Sequence, residues 1–193
     1  MSLASQVQSG FTAAAAEAKG LRAGLMPTGA LAASLDRRHC QSAGLGALVS
    51  GRLSLQAVRL HAGQTISSIT FMAGTTAGAT LSNTWFAIYS DALARLATTV
   101  NDTSASWGAS STRTLAITGG YAVTTTGLHY LGICVQGTTV PNLIGNNGIP
   151  LALNGLAPIL FGTSTTGLTN AASAPATAAA MSAASGHAYA YVS

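Results

Sequence analysis

Proton transfer and nucleophilic attack need a few side-chain types held close together, and this sequence is poor in them. It has four acids, Glu17, Asp36, Asp91 and Asp102, and four histidines, His39, His61, His129 and His187. Cleavage of a glycosidic bond needs two carboxylates facing one cleft. Only Asp91 and Asp102 fall in the domain-like part of the chain. Both sit in polar, loop-like segments, where Asp hydrogen-bonds local backbone. His61, His129 and His187 fall in strands or at their ends, without a spacing that would gather three imidazoles on a metal. Asp91, Asn101 and Asp102 offer oxygens to calcium, but two carboxylates make a weak site. There is no Gly-x-Ser-x-Gly elbow, phosphate loop or dinucleotide fingerprint. The expectation is a chain that is not an enzyme, with no catalytic residue, cofactor or metal. Cys40 and Cys134 fit either one disulfide between arm and domain or two free buried thiols packing as small hydrophobes. Trp85 lies in Trp85-Phe86-Ala87-Ile88-Tyr89, apolar on both faces, and reads as core. Trp107 lies in a polar segment and reads either as the anchor of a loop or as an exposed contact, one able to stack on a partner or a sugar ring.

Charge is scarce. Charged residues make up 6% of the chain and apolar ones 48%, against roughly 25% charged in an average soluble domain. Charge keeps free monomers apart. A surface of Ser, Thr, Asn, Gln, Gly and Ala instead suits fixed contacts between subunits or an extracellular setting. From Thr114 to Ser193 there is no Asp, Glu, Lys or Arg. Tyr121, Tyr130, Leu131, Ile133, Val135, Leu143, Phe161, Tyr189 and Tyr191 fall in that stretch, so it reads as folded rather than disordered. The net charge is +4, but Lys19 is the only lysine and Arg37-Arg38 the only adjacent basic pair. Nucleic acid is therefore not an expected partner, since phosphate binding needs a patch of cations. Residues 1–10 lack the basic and apolar regions of a signal peptide. The apolar run Gly148 to Phe161 is short and broken by Pro150 and Pro158, so no membrane span is expected.

The elements that would position these groups divide the chain in two. Residues 1–50 read as an arm: Phe11 to Lys19 suits a short helix, closed by Gly20, and the rest mixes small residues with Asp36, Arg37, Arg38 and His39. It reads either as an arm ordered by a partner or as a disordered leader. Residues 51–193 read as strands. Leu53 and Leu55 alternate with polar neighbours, then Val58 and Leu60 alternate on the other phase, which predicts a bulge near Ala57. Ile66, Ile69 and Phe71 mark the next strand, then Trp85 to Tyr89, then Leu93 to Val100. Arg113, Leu115 and Ile117 share a face, and Gly119-Gly120 predicts a turn. Leu128 to Val135 is the clearest strand. Ala171 to Ser185 suits either a helix or an extended loop packed on the domain. His187 to Ser193 alternates throughout, predicting a terminal strand with Tyr189 and Tyr191 on one face. About seven or eight strands without βαβ alternation predict an all-β, antiparallel β-sandwich, jelly-roll-like, with an irregular N-terminal arm.

Three segments resemble a β-sandwich module of virion structural proteins from tailed bacteriophages, especially those of actinobacteria: His61-Ala-Gly-Gln-Thr-Ile-Ser-Ser-Ile-Thr-Phe71; Trp85-Phe-Ala-Ile-Tyr-Ser-Asp91 with Leu96-Ala-Thr98; and Thr126-Gly-Leu-His-Tyr-Leu-Gly-Ile-Cys-Val135 with Thr138-Thr-Val-Pro141. Leu128-His129 departs from the bulkier aromatic pair often found there. The resemblance covers about half the chain and transfers no catalytic residue. It implies a capsid decoration protein, head fibre or minor tail protein, made in the host cytoplasm without a signal peptide and ending in the virion. It implies major capsid or tail proteins as partners, and a homo-oligomer, a trimer by analogy. Arg22, Arg37 and Arg38 would dock the arm on the particle. The alternative is a receptor- or carbohydrate-binding module at a tail tip or fibre, meeting a host-surface glycan through Trp107.

Overall fold

The computed structural model describes residues 26–41, 44–46, 48–168 and 171–193. Along them run thirteen strands: β1 (Ala32–Ala33), β2 (Ser54–Leu60), β3 (Thr65–Met72), β4 (Gly78–Ser90), β5 (Arg95–Thr98), β6 (Ser106–Trp107), β7 (Thr112–Ala122), β8 (Gly127–Thr139), β9 (Gly145–Asn146), β10 (Phe161–Thr163), β11 (Ser182–Ala183), β12 (His187–Ala188) and β13 (Ala190–Val192). A 3-10 turn, Arg37–His39, and one short helix, α1 (Leu151–Asn154), complete the described elements.

Two antiparallel sheets form the sandwich. The smaller runs β1-β13-β3-β7 and the larger β11-β10-β2-β8-β4-β5, with β6 beside β4; β12 and β9 make a separate ribbon. The long strands are nested. β2 pairs with β8, β3 with β7, and β4 with β5 and β6. The chain thus goes out along β2, β3 and β4 and returns along β5, β6, β7 and β8, while β8 also pairs with β4. This is a long hairpin wrapped on itself, the jelly-roll-like order expected of the sequence.

The larger sheet is buried on both faces, which explains its sequence. Val58, Leu60, Phe86, Ile88, Leu131 and Ile133 face the smaller sheet and meet Ile66, Ile69, Phe71, Leu115 and Val192. Leu53, Leu55, Ala57, Trp85, Ala87, Tyr89, Tyr130 and Cys134 form a second cluster on the opposite face, under Ala174 and Ala178. The cover is the segment after residue 171. It runs extended rather than helical, tied down by Trp85 Nε1 donating to the Ala171 carbonyl (2.9 Å) and the Tyr89 hydroxyl to that of Pro175 (3.1 Å). Its Ala and Ser side chains are small enough to let a bare backbone lie on the aromatic rings.

The expected bulge at Ala57 is absent: β2 pairs with β8 in unbroken register from Ser54 to Leu60. The change of phase in the sequence has another cause. Leu53, Leu55 and Ala57 face the outer cluster and Val58 and Leu60 the inner core, while the intervening inner positions are polar. One of these, Gln56, is 1% exposed. Its amide nitrogen donates to the carbonyls of Ala57 and Leu160 (both 3.1 Å) and its amide oxygen accepts from the Ala188 amide (2.7 Å), so neither polar atom of this side chain is stranded. Gly119-Gly120 is likewise no turn between strands. Both have positive φ, 76° and 71°, and sit inside β7 where its register against β3 shifts, a conformation glycine adopts without strain.

The described residues before 51 pack on the sandwich. β1 pairs with β13, Ala32 opposite Val192 and Ala33 opposite Tyr191. Gln41 bridges to Gly145, and Leu45 and Leu48 enter the core. The described part of the arm therefore finds its ordering partner in the sandwich, where it covers the edge of β13 that would otherwise present unpaired backbone. The predicted helix from Phe11 to Lys19 lies outside the described residues.

Candidate functional site

The groups weighed for catalysis stay apart. Asp91 is exposed and accepts from the Ala92 amide (2.9 Å), as a turn former does. Asp102 pairs with Arg113 (3.2 Å). Burial raises the Asp102 pKa, but hydrogen bonding from Ser104 and the Arg113 charge outweigh it, leaving the carboxyl below its ordinary value. Among the described residues no group of three or more His, Cys, Asp and Glu could hold a metal. Cys40 and Cys134 are free thiols, the latter buried, and burial pushes the Cys134 thiol up to about 12. Among the described residues no helix is long and apolar enough to cross a membrane.

Trp107 is not an exposed contact. It is 2% exposed. The short pairing of β6 with Gly78 and Ala79 turns its indole inward, against Phe86 at 6.2 Å between centroids. Arg113 lies 5.1 Å over its ring and its Nε1 donates to the Ser111 carbonyl (3.1 Å). Its polar neighbours suggested exposure, but the indole fills the core at the end of the sandwich and holds the loop there. Of the three arginines expected to dock, Arg22 lies outside the described residues. Arg37 and Arg38 are exposed on the 3-10 turn. Asp36 caps that turn by accepting from the Arg38 amide (2.9 Å) and binds the Arg38 guanidinium (2.7 Å), which lowers the Asp36 carboxyl below its usual range.

Two surface features were missed by sequence reasoning. The first is a groove of about 490 Å³ walled by Pro27, Arg37, Cys40, Met72, Tyr189 and Tyr191, among others. The two tyrosine rings are 6.1 Å apart and tilted by 49°. Burial, then the nearby Asp36 charge, pushes the Cys40 thiol up to about 11. The Tyr189 hydroxyl is buried and has no hydrogen-bond partner.

The second is an apolar ledge around α1. Leu151, Leu153 and Leu156 are 54%, 57% and 64% exposed, and Leu160 lies beside them in sequence at 36%. Exposed leucines on a floppy loop would mean little; these are held outward. Asn154 between them is 0% exposed. Its Nδ2 donates to the carbonyls of Ala184 and Gly186 (both 2.7 Å), and its Oδ1 accepts from His187 Nε2 (2.8 Å). Burial holds His187 below its ordinary pKa, favouring the neutral ring. The backbone adds a tie from the Gly186 amide to the Ile149 carbonyl (2.9 Å). The sequence did carry a signal. Leucines at positions 151, 153 and 156 follow neither the helical nor the strand period, so no single face can bury all three.

No protein-family model matches this chain, and no curated protein or solved structure is significantly similar to it.

Proposed function

We propose that this chain is a non-catalytic structural subunit that works by fixed contacts with neighbouring subunits. The observation that carries this reading is the ledge: three outward leucines, pinned by a fully buried asparagine, in a part of the chain without a formal charge from Thr114 onward. Contiguous apolar surface rimmed by polar residues marks an interaction site. The absence of charge removes like-charge repulsion between identical copies. The resemblance of the three strand segments extends the reading to a tailed-phage particle, as a capsid decoration, head fibre or minor tail protein in contact with major capsid or tail proteins. The glycan-binding alternative has lost its contact, since Trp107 is buried.

The test is the full chain carrying Leu151→Ser, Leu153→Ser and Leu156→Ser. Each site is more than half exposed, so stability should change by no more than about 0.5 kcal/mol per substitution. Sedimentation across a wide concentration range, alone and with candidate capsid or tail proteins, should show association in the wild type and its loss in the variant. Equal association of the two proteins would refute the assignment.

A further inference from the structure

The sequence holds two Asn-Gly pairs, Asn147-Gly148 and Asn154-Gly155. Asparagine is a thermolabile side chain, most of all before glycine. The backbone nitrogen of the next residue loses its proton and attacks the side-chain carbonyl carbon. A new C–N bond closes a five-membered succinimide, the bond to the side-chain nitrogen breaks, and that nitrogen takes up the proton and leaves as ammonia. Water then opens the ring at either carbonyl, giving aspartate or isoaspartate. Glycine favours the attack because no side chain crowds its nitrogen and its backbone is the freest.

The fold separates the two pairs. Asn154 is 0% exposed, and both polar atoms of its side chain are engaged, Nδ2 by the Ala184 and Gly186 carbonyls and Oδ1 by His187. The Gly155 amide, which would have to attack, donates to the Leu151 carbonyl (2.8 Å). Asn147 and Gly148 are both exposed, in the loop between β9 and α1. The Asn147 side chain donates from Nδ2 to the Gly44 carbonyl at 3.5 Å, the outer limit for such a bond. One guard stands over the pair: the Gly148 amide donates to Asn146 Oδ1 (2.8 Å). This bond holds the proton that the attacking nitrogen must lose. It is exposed, and exposed bonds in loops open at low cost.

We propose that Asn147 is a site of spontaneous deamidation, with the Asn146 side chain as its brake, while burial protects Asn154. The product places a carboxylate in a stretch, Thr114 to Ser193, that has no formal charge. It does so beside the leucine ledge, because the two asparagines flank one residue. A Cβ built on Gly186 would lie 3.2 Å from the Asn147 Cα, and the Gly186 carbonyl accepts from Asn154 Nδ2 (2.7 Å). Identical copies meeting through the ledge then carry like charges at its border, which opposes association. That consequence rests on the reading of the ledge as a contact surface; the modification does not.

Peptide mapping of the full chain after days in mildly alkaline buffer reads the reaction directly, as replacement of a side-chain nitrogen by oxygen, resolved into aspartate and isoaspartate. In the folded protein Asn147 should convert and Asn154 should not; in urea both should. Gly148→Ala should suppress the reaction and leave the fold intact, since an added Cβ would meet the movable end of the Asn146 side chain at 3.2 Å and no backbone. Asn146→Ala should convert about fivefold faster than the wild type, the factor that one ordinary hydrogen bond imposes. Asn146→Asp, which keeps the acceptor, should not. Asn147 intact in the folded protein while the urea-treated chain converts, or Asn154 converting equally in the folded protein, would overturn the proposal. Equal rates for Asn146→Ala and wild type would overturn the brake. Asn147→Asp installs the charge at once and should sediment with weaker association than the wild type. Unchanged association would sever the site from the ledge, a result distinct from failure of the ledge itself, which the leucine variant reports.

Discussion

Replacing Asn154 with alanine tests whether the ledge is built or incidental. The side chain is 0% exposed and makes three hydrogen bonds of 2.7, 2.7 and 2.8 Å. A typical protein hydrogen bond contributes about 1 kcal/mol net, and a buried group left unpaired costs about 1–3 kcal/mol. The Ala184 carbonyl is only partly buried and can turn to water. The bond to the Gly186 carbonyl is fully buried, so that oxygen stays dry. The expected loss is about 3–4 kcal/mol, which for a domain of this size lowers the melting temperature by on the order of 10 °C. Urea unfolding should show a lower midpoint with an unchanged slope. Hydrogen exchange should speed up at the Gly186 amide and across residues 149–156, and association through the ledge should weaken with it. Asn154→Asp adds a discriminating comparison. It keeps an acceptor for His187, loses both donations, and sets a carboxylate beside the imidazole, which raises the folded-state pKa of His187. That compensation is present below the unfolded value of about 6.5 and is lost as pH rises through the raised folded value, so the Asp variant should be penalised less in mild acid than at alkaline pH. A loss below about 1 kcal/mol for Asn154→Ala, or unchanged exchange in residues 149–156, would refute the pinning argument.

Three further outcomes follow from the packing. Trp107→Ala should cost about 3–5 kcal/mol in urea unfolding, as truncation of a buried indole does, whereas an exposed contact would lose binding and leave stability unchanged. Gly132→Ala should cost about 1–3 kcal/mol, because its Cβ would meet Tyr89 at 2.9 Å and Leu53 at 3.1 Å on the crowded outer face of β8; a neutral result would mean that the second cluster is loosely packed. In the wild type, burial lowers the His187 pKa. Its neutral form therefore adds stability above the unfolded value of about 6.5, and that contribution is lost as pH falls through the lowered folded value. His187→Gln should flatten this part of a profile of urea midpoint against pH.

The fold was legible where burial alternates or is total. Trp85 to Tyr89 and Leu128 to Val135 lie in β4 and β8, where their patterns placed them, whereas the single terminal strand expected over His187 to Ser193 is split: β12 pairs with β9, β13 pairs with β1 and β3, and Tyr189 lies between the two. Reasoning failed where one sequence pattern has two physical causes. The phase change at Ala57 reads the same for a bulged strand as for a strand buried on both faces with polar side chains at two inner positions. Only the cover provided by Ala174 and Ala178 distinguishes them, and that cover comes from distant residues. Gly119-Gly120 permits positive φ in a turn or inside a strand equally well. Trp107 misled because local polarity reports the neighbours' exposure, and β6 turns this one residue the other way. The ledge and the groove were missed because each is made by partners remote in sequence, Asn154 with Gly186 and His187, Pro27 with Tyr189.

The nested pairing has a consequence for how the molecule is made. Among the described residues β2 pairs with β8 and β10, and β1 with β13, so early strands wait for late ones. Such non-local topologies fold slowly, in milliseconds to seconds. During that interval β4 and β8, which carry no charged residue, expose two apolar faces without the gatekeeping charges that normally discourage strands from pairing with the wrong chain. The same lack of charge that suits the finished subunit to close contacts leaves the nascent chain vulnerable to aggregation. Yield in the cell should therefore depend on temperature and synthesis rate more steeply than the stability of the folded protein would suggest.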